Sequence, residues 1–345
     1  MKIAIIGGTK GLGKTLAMIL SQEDFDITIT GRDMAYGEKV AKDLKVKFSN
    51  DNQKVASLNE IVIIAVPIAS TSTIIEEIAN SLKEGSLLLD VTSVKVGPSE
   101  AMAKILPEYV EFIPTHPVFG PRTSSLSGQV VVLTPIKKGE WYSKLIKFLK
   151  NQNVRIIESS PKEHDDMMAI VQILTHFSYV STAIAMEKLK VNIDETRKFA
   201  SPIYNLMVDM ISRIVSQNPF LTYSIQTENE SGEKVREAFV ESVNELKDIL
   251  SLKNEEEFVK IVSKATKNMD DISSALGRSD KVIDSLTREL TLLKSLIGEE
   301  IAIEHIYSGK RYFGILKDLN PDYLTIATEN TLKKLKIANI KVVYD

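Results

Sequence analysis

Short apolar runs alternate with amphipathic stretches through the first 160 residues. Lys2-Ile3-Ala4-Ile5-Ile6 is almost unbroken in its apolarity and stops at glycines. Such a run predicts a strand buried on both faces, as in a parallel sheet. Comparable runs recur at 26–30, 60–67, 86–91, 110–114, 130–133 and 154–157. Between the first two, Thr15-Leu16-Ala17-Met18-Ile19-Leu20 has helical patterning. Strands alternating with helices predict an α/β, doubly wound sheet over residues 1–160.

The pattern changes at Pro161. Met167, Ile170, Val171, Ile173, Leu174, Phe177, Val180 and Ile184 share one broad helical face. A second helix starts at Ser201-Pro202, a capping residue followed by a first-turn proline. Amphipathic helices continue over 233–250, 255–268 and 281–296. Residues 161–296 therefore read as an all-α domain, and its broad apolar faces suggest packing against a second copy of the chain. After Gly298, short alternating runs at 301–307, 311–317, 322–327, 333–337 and 340–344 predict a small β module over 297–345. Strands this short and closely spaced suggest an SH3-like or Sm-like barrel.

The turn after the first strand is Gly7-Gly8-Thr9-Lys10-Gly11-Leu12-Gly13. Gly8 and Gly13 keep the outer spacing of a dinucleotide fingerprint, with Lys10 at the middle glycine. A glycine turn between a strand and a helix N-terminus suits a pyrophosphate, because the backbone approaches closely and free N–H groups face the anion. That makes the first domain Rossmann-type, with Gly8, Thr9, Lys10, Gly11, Leu12 and Gly13 as cofactor-binding residues. The second strand ends in Gly31-Arg32-Asp33. Arginine there suits a ribose 2′-phosphate, and Lys10 adds positive charge, so NADP is favoured over NAD. In the other reading Arg32 pairs with Asp33, and Asp33 holds NAD.

Ligands of such sheets lie beyond the carboxyl ends of the strands. Val66 and Pro67 should wall the cofactor there, and Thr92, Ser93 and Lys95 arrive at the same edge. So does His116, in the Pro/Gly-bracketed turn Thr115-His116-Pro117-Val118-Phe119-Gly120-Pro121. Histidine titrates nearest neutrality and accepts a proton from a hydroxyl during turnover, so beside a nicotinamide it suits alcohol oxidation.

Composition narrows the classes. The chain has 345 residues, 43% hydrophobic and 26% charged, with net charge −3. That balance gives no global attraction to nucleic acid or anionic membranes. With no cysteine, thiolate metal sites, disulfides and cysteine nucleophiles are excluded, and four scattered histidines suggest no metal cluster. No apolar run approaches the roughly 20 residues of a membrane span. A cytoplasmic location is expected.

These residues resemble the prephenate dehydrogenase family over residues 1–285. The resemblance rests on the glycine loop, Asp90-Val91-Thr92-Ser93-Val94-Lys95, His116-Pro117-Val118-Phe119-Gly120-Pro121 and Glu163-His164-Asp165. It continues through Leu174-Thr175-His176-Phe177, Ser201-Pro202-Ile203-Tyr204 and the stretch from Ser212-Arg213 to Asn218-Pro219. It implies NAD(P)-dependent oxidative decarboxylation of prephenate to 4-hydroxyphenylpyruvate in tyrosine biosynthesis. By resemblance His116 draws the proton of the ring hydroxyl and Ser93 sits beside it. Arg213 binds a substrate carboxylate, and His176, Gln217 and Tyr223 belong to the same pocket. From the residues alone, Arg213 is equally an exposed i,i+4 partner of Asp209. Arogenate dehydrogenase, a deazaflavin-dependent NADP oxidoreductase and a nucleotide- or RNA-associated regulator are the competing readings. The last draws on the lysines at 333, 334, 336 and 341.

Overall fold

The computed structural model describes residues 1–269, 271–329 and 331–343. They form two compact units, one of Met1–Thr196 with Met207–Asp248, the other of Arg197–Leu206 with Ile249–Asp345.

The first unit is built on eight strands: β1 (Lys2–Ile6), β2 (Asp26–Thr30), β3 (Lys47–Ser49), β4 (Ile61–Ile64), β5 (Leu87–Asp90), β6 (Glu111–Pro117), β7 (Val130–Leu133) and β8 (Arg155–Glu158). Their order in the sheet is β3-β2-β1-β4-β5-β6-β7-β8. Successive side chains on a strand face opposite ways. Ile3 and Ile5 accordingly join Ile27, Ile29, Leu87 and Leu89 in one core layer. Ala4 and Ile6 join Val62, Ile64 and Leu88 in the other. Both faces of β1, β4 and β5 are buried, which explains why these runs are nearly all apolar, whereas β2 alternates Ile27 and Ile29 with Thr28 and Thr30.

The sheet is parallel from β3 to β6. β6 then pairs antiparallel with β7 through Thr115, His116 and Pro117. This corrects the sequence reading, which ended the strand at Pro114 and placed His116 in a turn. The prolines do not stop the strand, because Pro114 needs only its carbonyl there, accepting Thr134 N at 3.0 Å. Strand order reverses between β1 and β4, so the ligand crevice of such a sheet opens at the loops after these two strands.

Ser160 caps the next helix, accepting Glu163 N at 3.2 Å, with Pro161 in the first turn. The helix runs Pro161–Met168, passes through a π-helical segment at Ala169–Leu174 and continues as Thr175–Lys188. Over 161–188 it has the length and hydropathy of a membrane span, with a mean hydropathy of 1.4 in its most apolar window. This departs from the expectation that no segment reaches that length. Its first turns nevertheless bury His164 and Asp165 in the protein.

In the second unit the helix Ile272–Ser295 leads to β9 (Glu300–His305), β10 (Arg311–Leu319), β11 (Tyr323–Thr328), β12 (Thr331–Lys336) and β13 (Ile340–Val343). These make an antiparallel five-stranded sheet in the order β12-β11-β10-β9-β13. Leu293, Ile301, Ile303, Leu316, Leu324 and Ile326 form its separate core. The five strands match the five expected runs, apart from Tyr344, which lies outside the described residues.

Candidate active site

The turn after β1 is shaped by what a side chain would strike. A Cβ on Gly13 would lie 2.5 Å from Gly7 O, and one on Gly8 would lie 2.7 Å from Ile29 Cγ2. Gly7, absent from the sequence-derived fingerprint, has φ +83°, and its Cβ would lie 2.5 Å from Ala65 O and 3.1 Å from Val66 Cγ1. Val66 is thus packed against the glycine turn, and Pro67 follows it at the surface. The helix Gly11–Leu20 begins after Lys10 with no side chain capping it and no acidic residue in its first turn. Its leading N–H groups and partial positive charge are available to an anion. Gly11, at φ +53°, has open space where a Cβ would be. Leu12 is half-buried against the core. These features fit a dinucleotide pyrophosphate.

Thr9 and Gly31 are in close apposition, since a Cβ on Gly31 would lie 2.7 Å from Thr9 Cγ2. Asp33 accepts Tyr36 N at 3.0 Å and so caps the helix Met34–Leu44. Arg32 is exposed and makes no ion pair with Asp33 or any other described residue. Lys10 Nζ stands 5.0 Å from the Tyr36 ring centroid, which brings it to the end of the second strand.

At the ends of β5 and β6 lies a fully buried cluster. Lys95 and Asp90 are each 0% exposed and form an ion pair. Lys95 Nζ also donates to Thr115 O at 2.6 Å and to Thr92 Oγ1 at 3.2 Å. Asp90 accepts Thr92 N at 3.0 Å. Thr92, expected at the cofactor, is turned inward into this cluster. Ser93 is half-buried in the following loop and makes no side-chain hydrogen bond among the described residues.

His116 is buried, and its Nδ1 lies 2.8 Å from His164 Nε2. His164 Nδ1 lies 2.7 Å from Asp165 Oδ1. Burial pushes the His116 pKa well below the ordinary 6.5, and proximity to His164 and the Lys95 cation pushes it the same way. His116 is therefore neutral around pH 7, a proton acceptor rather than a cation.

The remaining expected residues are on the helical part. His176 is half-buried, its Nδ1 has no hydrogen-bond partner, and burial lowers its pKa. Arg213 is exposed on the helix Pro202–Val215, and no ion pair joins it to Asp209. Gln217 is half-buried just beyond that helix, and Tyr223 is exposed on the helix Pro219–Thr227.

A family model for the nucleotide-binding domain of prephenate dehydrogenase matches residues 16–158, and one for its dimerization domain matches 160–264. A "Probable arogenate/prephenate dehydrogenase" of Methanocaldococcus jannaschii is 43% identical over 346 residues, covering 99% of this chain and 78% of that protein. The chain belongs to the prephenate dehydrogenase family. It is accordingly an oxidoreductase with a nucleotide-binding domain. A "T-protein" of Haemophilus influenzae is 32% identical over 63% of this chain and 53% of its own length. The crystal structure of the Aquifex aeolicus prephenate dehydrogenase shares the fold at a TM-score of 0.63 and 22% identity, covering 78% of this chain and 96% of that one. The Synechocystis arogenate dehydrogenase does so at 0.59 and 21%, over 79% of this chain and 100% of its own. The family models end at residue 264, so the C-terminal sheet lies beyond them, while the alignment to the M. jannaschii protein spans nearly the whole chain.

Sequence reasoning singled out His116, but assigned no role to His164, Asp165 or the buried Asp90–Lys95 pair. The available signal was the pair of charges five residues apart at a strand end, and a His-Asp dipeptide in the second turn after the Ser160 helix cap.

Proposed function

We propose that the chain oxidatively decarboxylates prephenate to 4-hydroxyphenylpyruvate and carbon dioxide, with NADP as the preferred oxidant and NAD as the second choice. The observation that carries this reading is the neutral, buried His116, held at the carboxyl edge of a dinucleotide-binding sheet. The nicotinamide supplies a hydride acceptor. His116 takes the proton of the C4 hydroxyl as the hydride leaves C4. The ring carboxylate departs as carbon dioxide, and its bonding electrons make the ring aromatic. The proton on His116 returns to the phenolate oxygen, so no net proton is released. Ser93 lies in the loop beside the strand that carries the base and helps orient the hydroxyl. Arg213 binds a carboxylate of the dianionic substrate, a task suited to its planar fork. His176, Gln217 and Tyr223 line the same pocket, and the unpartnered His176 Nδ1 supports a ligand contact.

Unpaired Arg32 with Lys10 beside the second strand end supports the 2′-phosphate reading. Arogenate, the amino counterpart of prephenate, is the alternative substrate, named with prephenate in the M. jannaschii relative. A homodimer is supported by the dimerization-domain match and by Phe220, Tyr223, Val240 and Val243, all exposed on helices of the single chain. The C-terminal sheet buries one face and is read as a small SH3-like or Sm-like barrel with a regulatory role.

The test follows reduced-nicotinamide absorbance with prephenate or arogenate, each with NADP or NAD. Reduction with prephenate, faster with NADP, is expected. Turnover of arogenate alone would replace the substrate, and faster reduction of NAD would replace the cofactor.

A further inference from the structure

Asp165, His164 and His116 form an unbranched line of hydrogen bonds ending at the base, and the donors in it are determined at one end. Asp165 Oδ1 accepts Lys95 N at 2.8 Å and Oδ2 accepts Val96 N at 3.0 Å. A backbone N–H only donates, so both oxygens are acceptors. These N–H groups open the helix Val96–Ile105, whose positive end also favours the carboxylate. With Asp165 Oδ1 accepting, the ring nitrogen 2.7 Å away, His164 Nδ1, carries a proton. With a single proton on His164, held on Nδ1, its Nε2 carries the lone pair and His116 Nδ1, 2.8 Å away, is the donor; a doubly protonated His164 would reverse that bond. A neutral His116 protonated on Nδ1 has its own lone pair on Nε2.

We propose that His164 and Asp165 are positioning residues that fix His116 in the tautomer whose Nε2 is the base. The same line stabilises the imidazolium formed when Nε2 takes a proton, because the cation donates through His164 toward a fixed carboxylate. The nearby Lys95 cation is engaged by Asp90, Thr92 and Thr115 and is not a member of the line. Asn229 Nδ2 donates to Asp165 O at 2.7 Å and steadies the turn that carries both residues. A purely structural tie between the helix Pro161–Met168 and the sheet would need the contact but not the direction of its protons.

The proposal rests on the reading of His116 as the base, so its test has one readout independent of turnover. Imidazole 15N NMR of the full chain, assigned with His116→Phe and His164→Gln, should show His116 and His164 each protonated on Nδ1 and bare on Nε2. A His116 protonated on Nε2, with activity intact, overturns the proposal and leaves the catalytic reading standing. Turnover of neither substrate with the tautomer present overturns the catalytic reading and, with it, the service of the dyad to that base. The second readout is kinetic. His164→Phe removes the acceptor and should lower kcat by roughly 10²-fold, with KM and cofactor Kd within about twofold. His164→Gln offers an amide oxygen to His116 Nδ1 and should recover at least about tenfold of that loss. Equal kcat in the two variants, or losses that follow thermal stability alone, would overturn it.

Discussion

Replacing Lys95 by Met isolates the energetics of the buried cluster next to His116. The ion pair with Asp90 is wholly buried, and Met matches the lysine stem while removing the ammonium. Asp90 would keep its contact from Thr92 N but lose its countercharge, and Thr115 O would lose the donor at 2.6 Å. Removing one partner of a buried pair costs about 3–5 kcal/mol, because the remaining charge stays uncompensated. The stranded carbonyl is one contributor, worth about 1–3 kcal/mol when it finds no other partner. Lys95→Met should therefore lower unfolding stability in urea at pH 7 by about 3–5 kcal/mol. Adding Asp90→Asn should return part of this, with a coupling of about 0.5–3 kcal/mol across the double-mutant cycle. A single-mutant loss below about 1 kcal/mol, or strict additivity, would show that the pair carries no net interaction and that the cluster is held by packing.

Arg32→Ala should weaken NADP by about 1.5–3 kcal/mol in a fluorescence titration while changing NAD little; equal losses would refute the 2′-phosphate assignment. Arg213→Ala should raise KM for prephenate at least about tenfold with a smaller change in kcat, and an unchanged KM would remove it from substrate binding. The acid limb of kcat/KM should fall well below pH 6.5, because burial holds His116 neutral; a limb at or above 6.5 would contradict the site. Stability has a matching sign. His116 and His176 both have folded pKa values below 6.5, so the unfolded chain binds protons first on acidification. Their contribution is complete above about pH 6.5 and is lost as pH falls toward the folded values. His116→Asn should remove much of that slope in urea titrations across this range, and an unchanged slope would assign it elsewhere.

β1, β4 and β5 were legible because burial on both faces leaves almost only apolar residues there, and β2 because Ile27 and Ile29 alternate with threonines. β3 escaped notice because three residues, Lys47–Ser49, are too few to carry a period. The extension of β6 through Thr115, His116 and Pro117 was hidden by prolines that locally signal a turn, while its cause is pairing with a strand fifteen or so residues later. The π-helical segment Ala169–Leu174 leaves no mark either, since its apolar residues fit the neighbouring helical face equally well. Within the site, His116 stood out through local context, whereas the partner on its Nδ1 lies 48 residues away. Lys95 looked like one more polar residue at a strand end. Only the closure of Asp90, Thr92 and Thr115 around it makes it fully buried.

Because His116 is carried by a paired strand rather than a loop, its backbone is braced by β7 along its own register. If His116 is the base, as proposed, it does not travel to meet a substrate, and adaptation to a different side chain falls to parts such as the exposed Arg213 and Tyr223. On the proposed reading of these residues, the chain separates a fixed chemical half from a tunable reading half, so a change of substrate is to be engineered on the helices rather than on the strand that carries His116.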